Sequence, residues 1–225
     1  MIDFHTHILP NMDDGSKSVD ESIQLLNILK NEGVKLVCLT SHFYPRNESI
    51  EDFLERRNKS YKELNYNNEI KVLLGSEVHY YRGISTSEDI DKLCIENTNI
   101  LLVELPFSTP INENIINEIV NLKNRGLRVI LAHVERYKID FSTLQYLHNN
   151  GVMLQCNTEF FLGFFSSKRA LKWLENGIID VIGSDCHNLI DRIPNYDKAM
   201  NIVKKNLGED FLNNFVRKTY NIIER

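Results

Sequence analysis

The stretch GLRVILAHVER (residues 126–136) shows the unit from which the chain is built. A glycine follows a polar helical segment, a run rich in Val, Ile and Leu comes next, and the run stops at a histidine. The run lacks polar alternation, which predicts a strand buried on both faces. The glycine stands where a helix C-cap takes a left-handed conformation. One unit therefore predicts a helix, a turn and a buried strand that ends in a polar group.

The same unit recurs along the chain. Glycines between a helical pattern and a strand pattern are Gly33, Gly126, Gly151 and Gly177. Buried-strand patterns occupy 2–7, 35–40, 70–78, 99–105, 127–134, 151–157 and 178–185. Helical patterns occupy 19–32, 49–65, 112–125, 141–149, 167–176, 196–206 and 208–224. This alternation predicts an α/β fold in which helices surround a parallel sheet closed as a barrel, with 1–225 as a single domain.

Composition excludes several classes of protein. The net charge of −5 provides no field that favours nucleic acid. No apolar run approaches the roughly 18 residues of a membrane span, and the N-terminus lacks a signal-peptide pattern, so we expect a cytoplasmic protein with no membrane insertion. The four cysteines are scattered without C-x-x-C spacing, which favours reduced thiols.

Ionisable residues stand at the predicted carboxyl ends of six strands, which is where barrel enzymes carry their sites. Residues i and i+2 of a strand face the same way, so His5 pairs with His7, and Asp185 with His187. Unpaired ionisable groups are costly at the end of a buried run, and their recurrence on six strands argues for a common ligand. The nine candidate metal ligands are His5, His7, Asp14, His42, Glu77, Glu104, His133, Asp185 and His187.

The ligand types predict the chemistry of the site. Imidazole and carboxylate suit zinc, manganese, iron or nickel better than calcium. Nine ligands exceed the needs of one ion, so a cluster of two or three is predicted. Four carboxylates against three divalent ions leave a surplus of positive charge, which would attract a phosphate dianion. Such clusters also lower the pKa of a bound water and stabilise in-line displacement.

Each candidate also has a structural interpretation. The paired motifs could be polar strand ends, Asp14 a turn residue or helix cap, and the remaining carboxylates and imidazoles buried hydrogen-bonding groups. Asp13 is assigned a structural role. His79 shares a face with Glu77 by alternation. The run EFFLGFF (159–165) either flanks the mouth of the site or packs in the core.

The order H-x-H, D-D-G, H, E, E, H and D-x-H resembles the PHP (polymerase and histidinol phosphatase) superfamily. The segments MIDFHTHILPNMDDGSKS, GSEV, LAHVERY and GSDCHN narrow the resemblance to the metal-dependent bacterial protein-tyrosine phosphatases of capsule and exopolysaccharide operons. The resemblance covers essentially the whole chain. It implies a distorted seven-stranded (β/α) barrel and three divalent ions, usually manganese, with iron, zinc, cobalt and nickel as alternatives.

The resemblance also implies roles for individual residues. One ion would bind His5, His7, Glu77 and Asp185; a second would share Glu77 and add Glu104 and His133; a third would bind Asp14, His42 and His187. Arg136 and Arg192 match arginines expected at the phosphate, where a guanidinium fork suits phosphoryl oxygens. His42 or a metal-bound water would supply a proton to the leaving group. Two departures from the pattern are His79, where an aromatic residue is expected, and the segment HFYPRNESIED (42–52).

The implied reaction is hydrolysis of phosphotyrosine on a protein, with a tyrosine autokinase of polysaccharide export as the expected partner. The alternatives are a phosphatase of histidinol phosphate or another small phosphomonoester, a nuclease, and a catalytically silent regulatory barrel. A thiol mechanism through Cys186 and Arg192 (C-x5-R) is disfavoured, because the intervening residues lack glycine and alternation turns Cys186 away from Asp185. The sequence leaves the oligomeric state open.

Overall fold

Short strands and helices alternate along the residues that the computed structural model describes, 1–66, 70–107 and 111–224. The strands are β1 (Ile2–Thr6), β2 (Leu36–Leu39), β3 (His42–Phe43), β4 (Lys71–Leu74), β5 (Glu77–His79), β6 (Ile100–Glu104), β7 (Arg128–Leu131), β8 (Met153–Asn157) and β9 (Val181–Gly183). The helices are α1 (Val19–Asn31), α2 (Ile50–Leu64), α3 (Glu113–Asn124), α4 (Phe141–Asn149), α5 (Thr158–Leu162), α6 (Ser166–Glu175), α7 (Tyr196–Leu207) and α8 (Glu209–Ile223).

The strands form two parallel sheets. One has the order β1-β2-β4, and the other is a curled sheet of six strands in the order β3-β5-β6-β7-β8-β9. Every pairing within them is parallel, which confirms the predicted α/β class with a parallel sheet. The predicted count of seven strands is not confirmed, because two of the predicted runs adjoin or contain a break. The run 35–40 is followed by a break before β3, and the run 70–78 is divided into β4 and β5. Beside these breaks, the N–H of Glu77 donates to the carbonyls of Thr40 and Ser41, at 3.0 and 3.1 Å.

The first and last strands approach each other at the end that carries the predicted site. The N–H of Asp185 donates to the carbonyl of His5 at 2.8 Å, and the N–H of His7 donates to the carbonyl of Cys186 at 2.9 Å. Lower in the seam, Asp3 Oδ1 accepts from the N–H groups of His5 and Ser184, at 3.2 and 2.8 Å. These bonds place His5, His7 and Asp185 side by side.

The predicted helices are confirmed to within a residue or two at each end. Four of them begin at side chains that accept a hydrogen bond from the N–H three residues on, namely Ser18, Ser49, Asn112 and Asp140. The glycines that follow α1 and α3 take positive φ, +86° at Gly33 and +94° at Gly126, as the helix–strand unit predicts. The short helix α5 was not predicted, and it divides the run EFFLGFF: Phe160 and Phe161 are buried, whereas the last two phenylalanines are exposed.

The interior cluster is the apolar core that the strands enclose. It consists of Ile2, Phe4, Leu36, Cys38, Leu73, Ile95, Ile100, Leu102, Ile130, Ala132 and Val181. A second, larger core lies between the strands and the helices. Register shifts between Asp3 and Thr6 let adjacent Phe4 and His5 both serve the interior, Phe4 in the cluster and His5 in the polar site above it. In the part of the chain described, no helix has the length and apolarity needed to cross a bilayer.

Candidate metal centre

The nine predicted ligands come together at the carboxyl ends of the strands. Eight of them are buried, whereas the side chain of Asp14 is 65% exposed. Within the described residues, the potential ligand atoms fall into overlapping groups whose members lie within 4.8 Å of one another. These groups are His7, Asp14, His42 and His187; His5, Glu77 and His133; His5, His7 and Asp185; and His42, Glu77 and Glu104.

The paired histidines of β1 converge on two carboxylates. The Nε2 atoms of His5 and His7 lie 3.0 Å apart. Each lies 3.2 Å from Glu77 Oε2, and they lie 3.6 and 3.5 Å from Asp185 Oδ1. The four side chains therefore point at one small volume, as the resemblance implies for the first ion.

Glu77 is also the hub of the neighbouring group. Its Oε1 lies 2.9 Å from His133 Nε2, and its Oε2 lies 2.9 Å from His42 Nδ1. Glu104 Oε1 lies 3.4 Å from the same His133 nitrogen. The carboxylate of Glu77 thus faces both groups, which is the geometry of a bridging ligand.

The third group lies nearest to solvent. Asp14 Oδ1 is 3.4 Å from His187 Nε2 and 3.7 Å from His42 Nε2. His7 also belongs to this group, and its ring stacks on that of His187 with centroids 3.9 Å apart. His42 can therefore reach the group of Asp14 or that of Glu104, so the division of ligands among ions stays a prediction.

The histidine tautomers suit metal ligation. Asp13 Oδ2, Gln155 Oε1 and the carbonyl of Asp185 lie 2.8, 3.1 and 2.9 Å from Nδ1 of His7, His5 and His187, respectively. None of these oxygens has a proton to give, so each Nδ1 is the donor, and in the neutral imidazole that binds a metal each Nε2 has a lone pair. These lone pairs face the centre of the site, which is the arrangement that outer hydrogen bonds impose on metal-bound histidines.

Orphaned buried atoms provide a second test of fit. Four polar atoms of the site make no hydrogen bond among the described residues, namely His42 Nδ1, Glu77 Oε2, His133 Nδ1 and His187 Nε2. Buried polar atoms without partners are rare and costly. Three of the four face other predicted ligands at 2.9 to 3.4 Å without hydrogen-bond alignment. Cations between these atoms would satisfy them, so the donor set fits divalent metal ions.

Supporting residues that the sequence analysis missed lie on β8. Gln155 Oε1 accepts from the N–H of His133 at 2.8 Å as well as from His5, and its Nε2 donates to Asn157 at 2.8 Å. Asn157 Nδ2 in turn donates to Asp185 Oδ2 at 2.8 Å. The overlooked signal was two amides at i and i+2 in the otherwise apolar run GVMLQCN (151–157).

Asp13 has the structural role predicted for it. One carboxylate oxygen accepts from His7 Nδ1 and from the N–H of His42, both at 2.8 Å, and the other accepts from the N–H of Gly15 at 2.9 Å. A side chain on Gly15 would place Cβ 2.1 Å from the carbonyl oxygen of His7. In the D-D-G sequence, Asp13 therefore orients its neighbours by hydrogen bonds, Asp14 is an exposed candidate ligand, and position 15 has no room for a side chain.

Two predicted ligands have left-handed backbones. The φ angles are +29° at His133 and +54° at Asp185. This region is uncommon for residues with a side chain, and such strain concentrates at functional sites. At these positions it redirects the side chains that follow buried strands.

The carboxylates of the site are ionised by their surroundings. Burial opposes charge on Glu77 and Asp185, but neighbouring histidines outweigh it and hold the pKa of both carboxyls below the usual range. The hydrogen bond with His187 lowers the pKa of Asp14 to about 2. Conversely, burial opposes charge on His133, but Glu104 and Glu77 raise its pKa to about 10. The site thus favours positive charge among its carboxylates.

Both predicted arginines contact Asp185. Arg136 Nη1 and Arg192 Nη2 lie 3.0 and 2.7 Å from its Oδ2, and the two side chains are 44% and 34% exposed. They line a cavity of about 200 Å³ together with six predicted ligands and two aromatic residues, Tyr44 and Phe107. The Tyr44 ring lies 4.9 Å from that of His42, and the Phe107 ring 5.4 Å from that of His133. The ligands and guanidinium groups therefore share one small cavity with aromatic walls.

Two further residues have defined positions. His79 Nδ1 lies 3.0 Å from Glu104 Oε2, so His79 contacts a predicted ligand from outside the ligand groups. Cys186 is 1% exposed and belongs to the core between strands and helices, and burial raises the pKa of its thiol. A buried neutral thiol is a poor nucleophile, which weighs against the C-x5-R mechanism.

Comparison with known families and sequences gives a consistent result. The family model described as "Capsular polysaccharide synthesis, CpsB/CapC" matches residues 1–224. The tyrosine-protein phosphatase CpsB of Streptococcus pneumoniae is 30% identical over 228 residues, covering 92% of this chain and 91% of the relative. The putative tyrosine-protein phosphatase CapC of Staphylococcus aureus is 32% identical over 206 residues, covering 85% and 79%.

A solved structure shares the fold. It belongs to the crystal structures of YwqE from Bacillus subtilis and CpsB from Streptococcus pneumoniae, which are described as unique metal-dependent tyrosine phosphatases. The TM-score is 0.81 at 23% identity, over 96% of this chain and 92% of that one. At this identity the likeness concerns the fold, the α/β arrangement with a curled parallel sheet.

Proposed function

This chain belongs to the CpsB/CapC family of capsular polysaccharide synthesis proteins, and from that premise we propose that it is a metal-dependent protein-tyrosine phosphatase. The observation that carries the proposal is the clustering of nine candidate metal ligands, six of which line one small cavity together with two arginines. Buried imidazoles and carboxylates supply the metal centre, and guanidinium groups supply the contacts for phosphate. Relatives named as tyrosine-protein phosphatases support the choice of phosphotyrosine.

In the proposed mechanism the chain's own residues bind and orient the phosphate. Arg136 and Arg192 lie on the same carboxylate oxygen of Asp185, so their remaining N–H groups can bind the equatorial phosphoryl oxygens and neutralise charge there. Bound divalent ions would supply an activated water as nucleophile and Lewis-acid stabilisation of the phosphoryl oxygens. His42, which is 9% exposed at the cavity, or a water on the bound ions would give a proton to the leaving oxygen. No covalent phosphoenzyme is expected.

The aromatic walls suit an aryl phosphate. Phe107 is 46% exposed, its ring packs against those of His133 and Tyr137, and the Arg136 guanidinium lies 5.0 Å from its centroid. Tyr44 forms another part of the wall beside His42. A phenyl ring can pack against such faces, whereas the short side chain of phosphoserine presents no ring to them. These walls therefore favour phosphotyrosine.

The finer parts of the proposal concern metals, fold and partner. We propose three divalent ions, with manganese as the activating metal. Residues 1–225 would form a single phosphatase domain, a distorted barrel of seven strand positions in which β2 with β3, and β4 with β5, each fill one position. The short backbone contacts between β1 and the segment after β9 support closure. The proposed partner is a phosphorylated tyrosine autokinase.

A substrate panel tests the proposed function. A phosphotyrosine peptide, histidinol phosphate and single-stranded DNA are each incubated with and without manganese. We expect manganese-dependent release of phosphate from the peptide at the highest kcat/KM. Preference for histidinol phosphate or cleavage of DNA would contradict the proposal.

A second experiment separates the metal and thiol mechanisms. Cys186→Ser should retain activity, because the thiol is buried away from the cavity, whereas a chelator should abolish it. Loss of activity in the serine variant combined with indifference to chelator would indicate a thiol enzyme. Trapping a covalent phosphoenzyme during turnover would also overturn the mechanism.

A further inference from the structure

Among the residues that the structure describes, the three most exposed large apolar side chains lie on two loops that contribute to a cavity beside Arg136 and Arg192. Phe164, Phe165 and Ile190 are 84%, 87% and 86% exposed, and Ile193 is 40% exposed. Phe164 and Phe165 contact each other edge to face, with centroids 5.0 Å apart. Exposed apolar side chains that cluster in this way commonly mark an interaction surface.

The two loops share a cavity with the candidate phosphate site. This cavity measures about 740 Å³. Its lining includes Leu162, Gly163 and Ser166, from the turn between α5 and α6 and the helix ends that flank it, and Asp191 and Ile193 from the other loop. Arg136, Asp185 and Arg192 line it as well, and they also line the smaller cavity of the metal centre. A chain segment that leaves the smaller cavity on this side must therefore pass between the two loops.

Hydrogen bonds and close packing hold both loops. The N–H of Ser167 donates to the carbonyl of Gly163 at 2.9 Å, and a Cβ on Gly163 would lie 2.3 Å from Ser166 Oγ. In the other loop, Asn188 Oδ1 accepts from the N–H groups of Ile190 and Asp191, at 2.9 and 3.0 Å. These contacts hold the backbone of both turns, from which the apolar side chains project into solvent.

When the two arginines bind phosphate, the remaining charged side chains that line this cavity are acidic. Glu135, Glu159 and Asp191 line it, and the latter two are exposed. Acidic side chains disfavour the anionic surface of a bacterial membrane and favour basic side chains. The concave shape and the continuity with the arginines suit a polypeptide segment better than a flat surface.

We propose that this cavity, the flanking-residue groove, binds the residues next to phosphotyrosine in a polypeptide substrate and prefers apolar and basic side chains there. The inference rests on the proposed phosphatase function and names the substrate feature that the same site selects. Apolar side chains of the substrate would pack on Leu162 and Ile193, which line the groove, and on the exposed Phe164, Phe165 and Ile190, which adjoin the lining residues Gly163 and Asp191 in the chain. Basic side chains would pair with Glu159 and Asp191. The phosphoryl group, held by Arg136 and Arg192, would fix the position of the peptide along the groove.

The test compares a peptide with a small aryl phosphate. The double variant F164S/F165S is assayed with manganese on a phosphotyrosine peptide flanked by Leu and Lys, and on p-nitrophenyl phosphate. We expect kcat/KM on the peptide to fall about tenfold, because the apolar contact area is lost, with the small substrate changed less than about twofold. Tyr146→Ser, a 50% exposed aromatic residue on α4, is the matched control and should leave both rates unchanged.

Independent variants make the result decisive. Ile190→Ser should lower the peptide rate about threefold through the other loop, and replacing the flanking Lys of the peptide by Glu should lower it in the wild type. An unchanged peptide rate in F164S/F165S, or equal losses on both substrates, would overturn the inference. The inference would also be overturned if F164S/F165S differed from the wild type in oligomeric state on sedimentation, or if it lost a binding to anionic vesicles that the wild type shows. Failure of the wild type on both phosphates would instead contradict the phosphatase function.

Discussion

The interior cluster and the metal centre are neighbours on the same strands, yet they are built on opposite principles. Phe4, Leu102 and Ile130 lie fully buried among apolar side chains. One to three residues further along the chain, His5, Glu104 and His133 are buried among charges. Apolar burial stabilises the fold directly, whereas burial of charge is costly unless partners or ions compensate it.

The difference teaches where stability and function reside. The interior cluster needs no ligand to be stable. The centre above it concentrates carboxylates around orphaned atoms and two left-handed residues, so it depends on the rigid layer beneath for its shape. Substitutions in the lower layer should therefore change stability, and substitutions in the upper layer should change metal response and activity.

The largest expected effect is on activity, from Glu77→Gln. Glu77 faces His5, His7, His42 and His133, and the amide removes the charge that all four share. We expect kcat/KM on a phosphotyrosine peptide to fall by at least ~10³, which corresponds to ~4 kcal/mol. Steady-state kinetics, together with the rise in melting temperature on adding manganese, measures both consequences.

The exposed Glu51 on α2 provides the control, because Glu51→Gln removes the same negative charge as Glu77→Gln but leaves the metal centre intact. That variant should match the wild type in both assays. If Glu77→Gln kept more than a tenth of the activity, the bridging role of Glu77 would be wrong.

Phe4→Ala should break the lower layer instead. Its side chain is fully buried in the interior cluster, so truncation leaves a cavity that costs ~3–5 kcal/mol of unfolding free energy. Denaturant unfolding measures the loss, and the manganese-activated kcat of the remaining folded protein should change only a few fold. Phe165→Ala, at a site 87% exposed, should cost less than about 0.5 kcal/mol. Similar losses in the two variants would contradict the proposed division.

Asn157→Ala tests a residue that supports the metal centre from outside the predicted ligands. Asn157 links Gln155 to Asp185, so its loss frees a predicted ligand without removing it. Outer-shell losses of this kind typically weaken metal binding ~10–100-fold. A manganese titration of activity should show the weaker affinity and a recovered rate at saturation. In the control variant Asn206→Ala, the exposed amide that is removed donates to the carbonyl of Ile202 within α7, so this variant should titrate like the wild type.

The smallest effect concerns a titratable group outside both regions. Glu32, at the end of α1, accepts a hydrogen bond from the N–H of Tyr196 at 2.8 Å, and partial burial raises the pKa of its carboxyl to about 7. The folded state therefore holds this proton more tightly than the unfolded state. Its contribution is fully present below the ordinary value of 4.5 and is lost as pH rises through 7.

Glu32→Gln should remove that pH dependence. The variant should match the wild type near pH 4.5 and exceed it above the folded pKa by ~1 kcal/mol, after allowing for solvent screening of a half-exposed group. Denaturant midpoints at both ends of the range test this. A wild-type stability that rises between these pH values as much as the variant's would refute the assignment.

Much of this protein could be predicted from its sequence, because the signals are local. Runs such as LRVILAHV need burial on both faces, and glycines after helices provide the turns, so the α/β class and the helices follow. The nine candidate ligands could be picked out because ionisable residues at the ends of apolar runs are conspicuous. The separate roles of Asp13 and Asp14 also agree with the contacts that each makes.

Only the tertiary structure decided the features that depend on distant partners. The breaks beside Ser41 and Gly75, and the register shift that turns both Phe4 and His5 inward, arise from pairing between strands. Gln155 and Asn157 gain their role from contacts with His133 and Asp185. The exposure of Phe164 and Phe165 beside buried Phe160 likewise depends on how α5 and α6 pack. Local sequence specifies which segments form helices and strands and which residues carry reactive groups. The packing of distant segments decides which side chains come into contact.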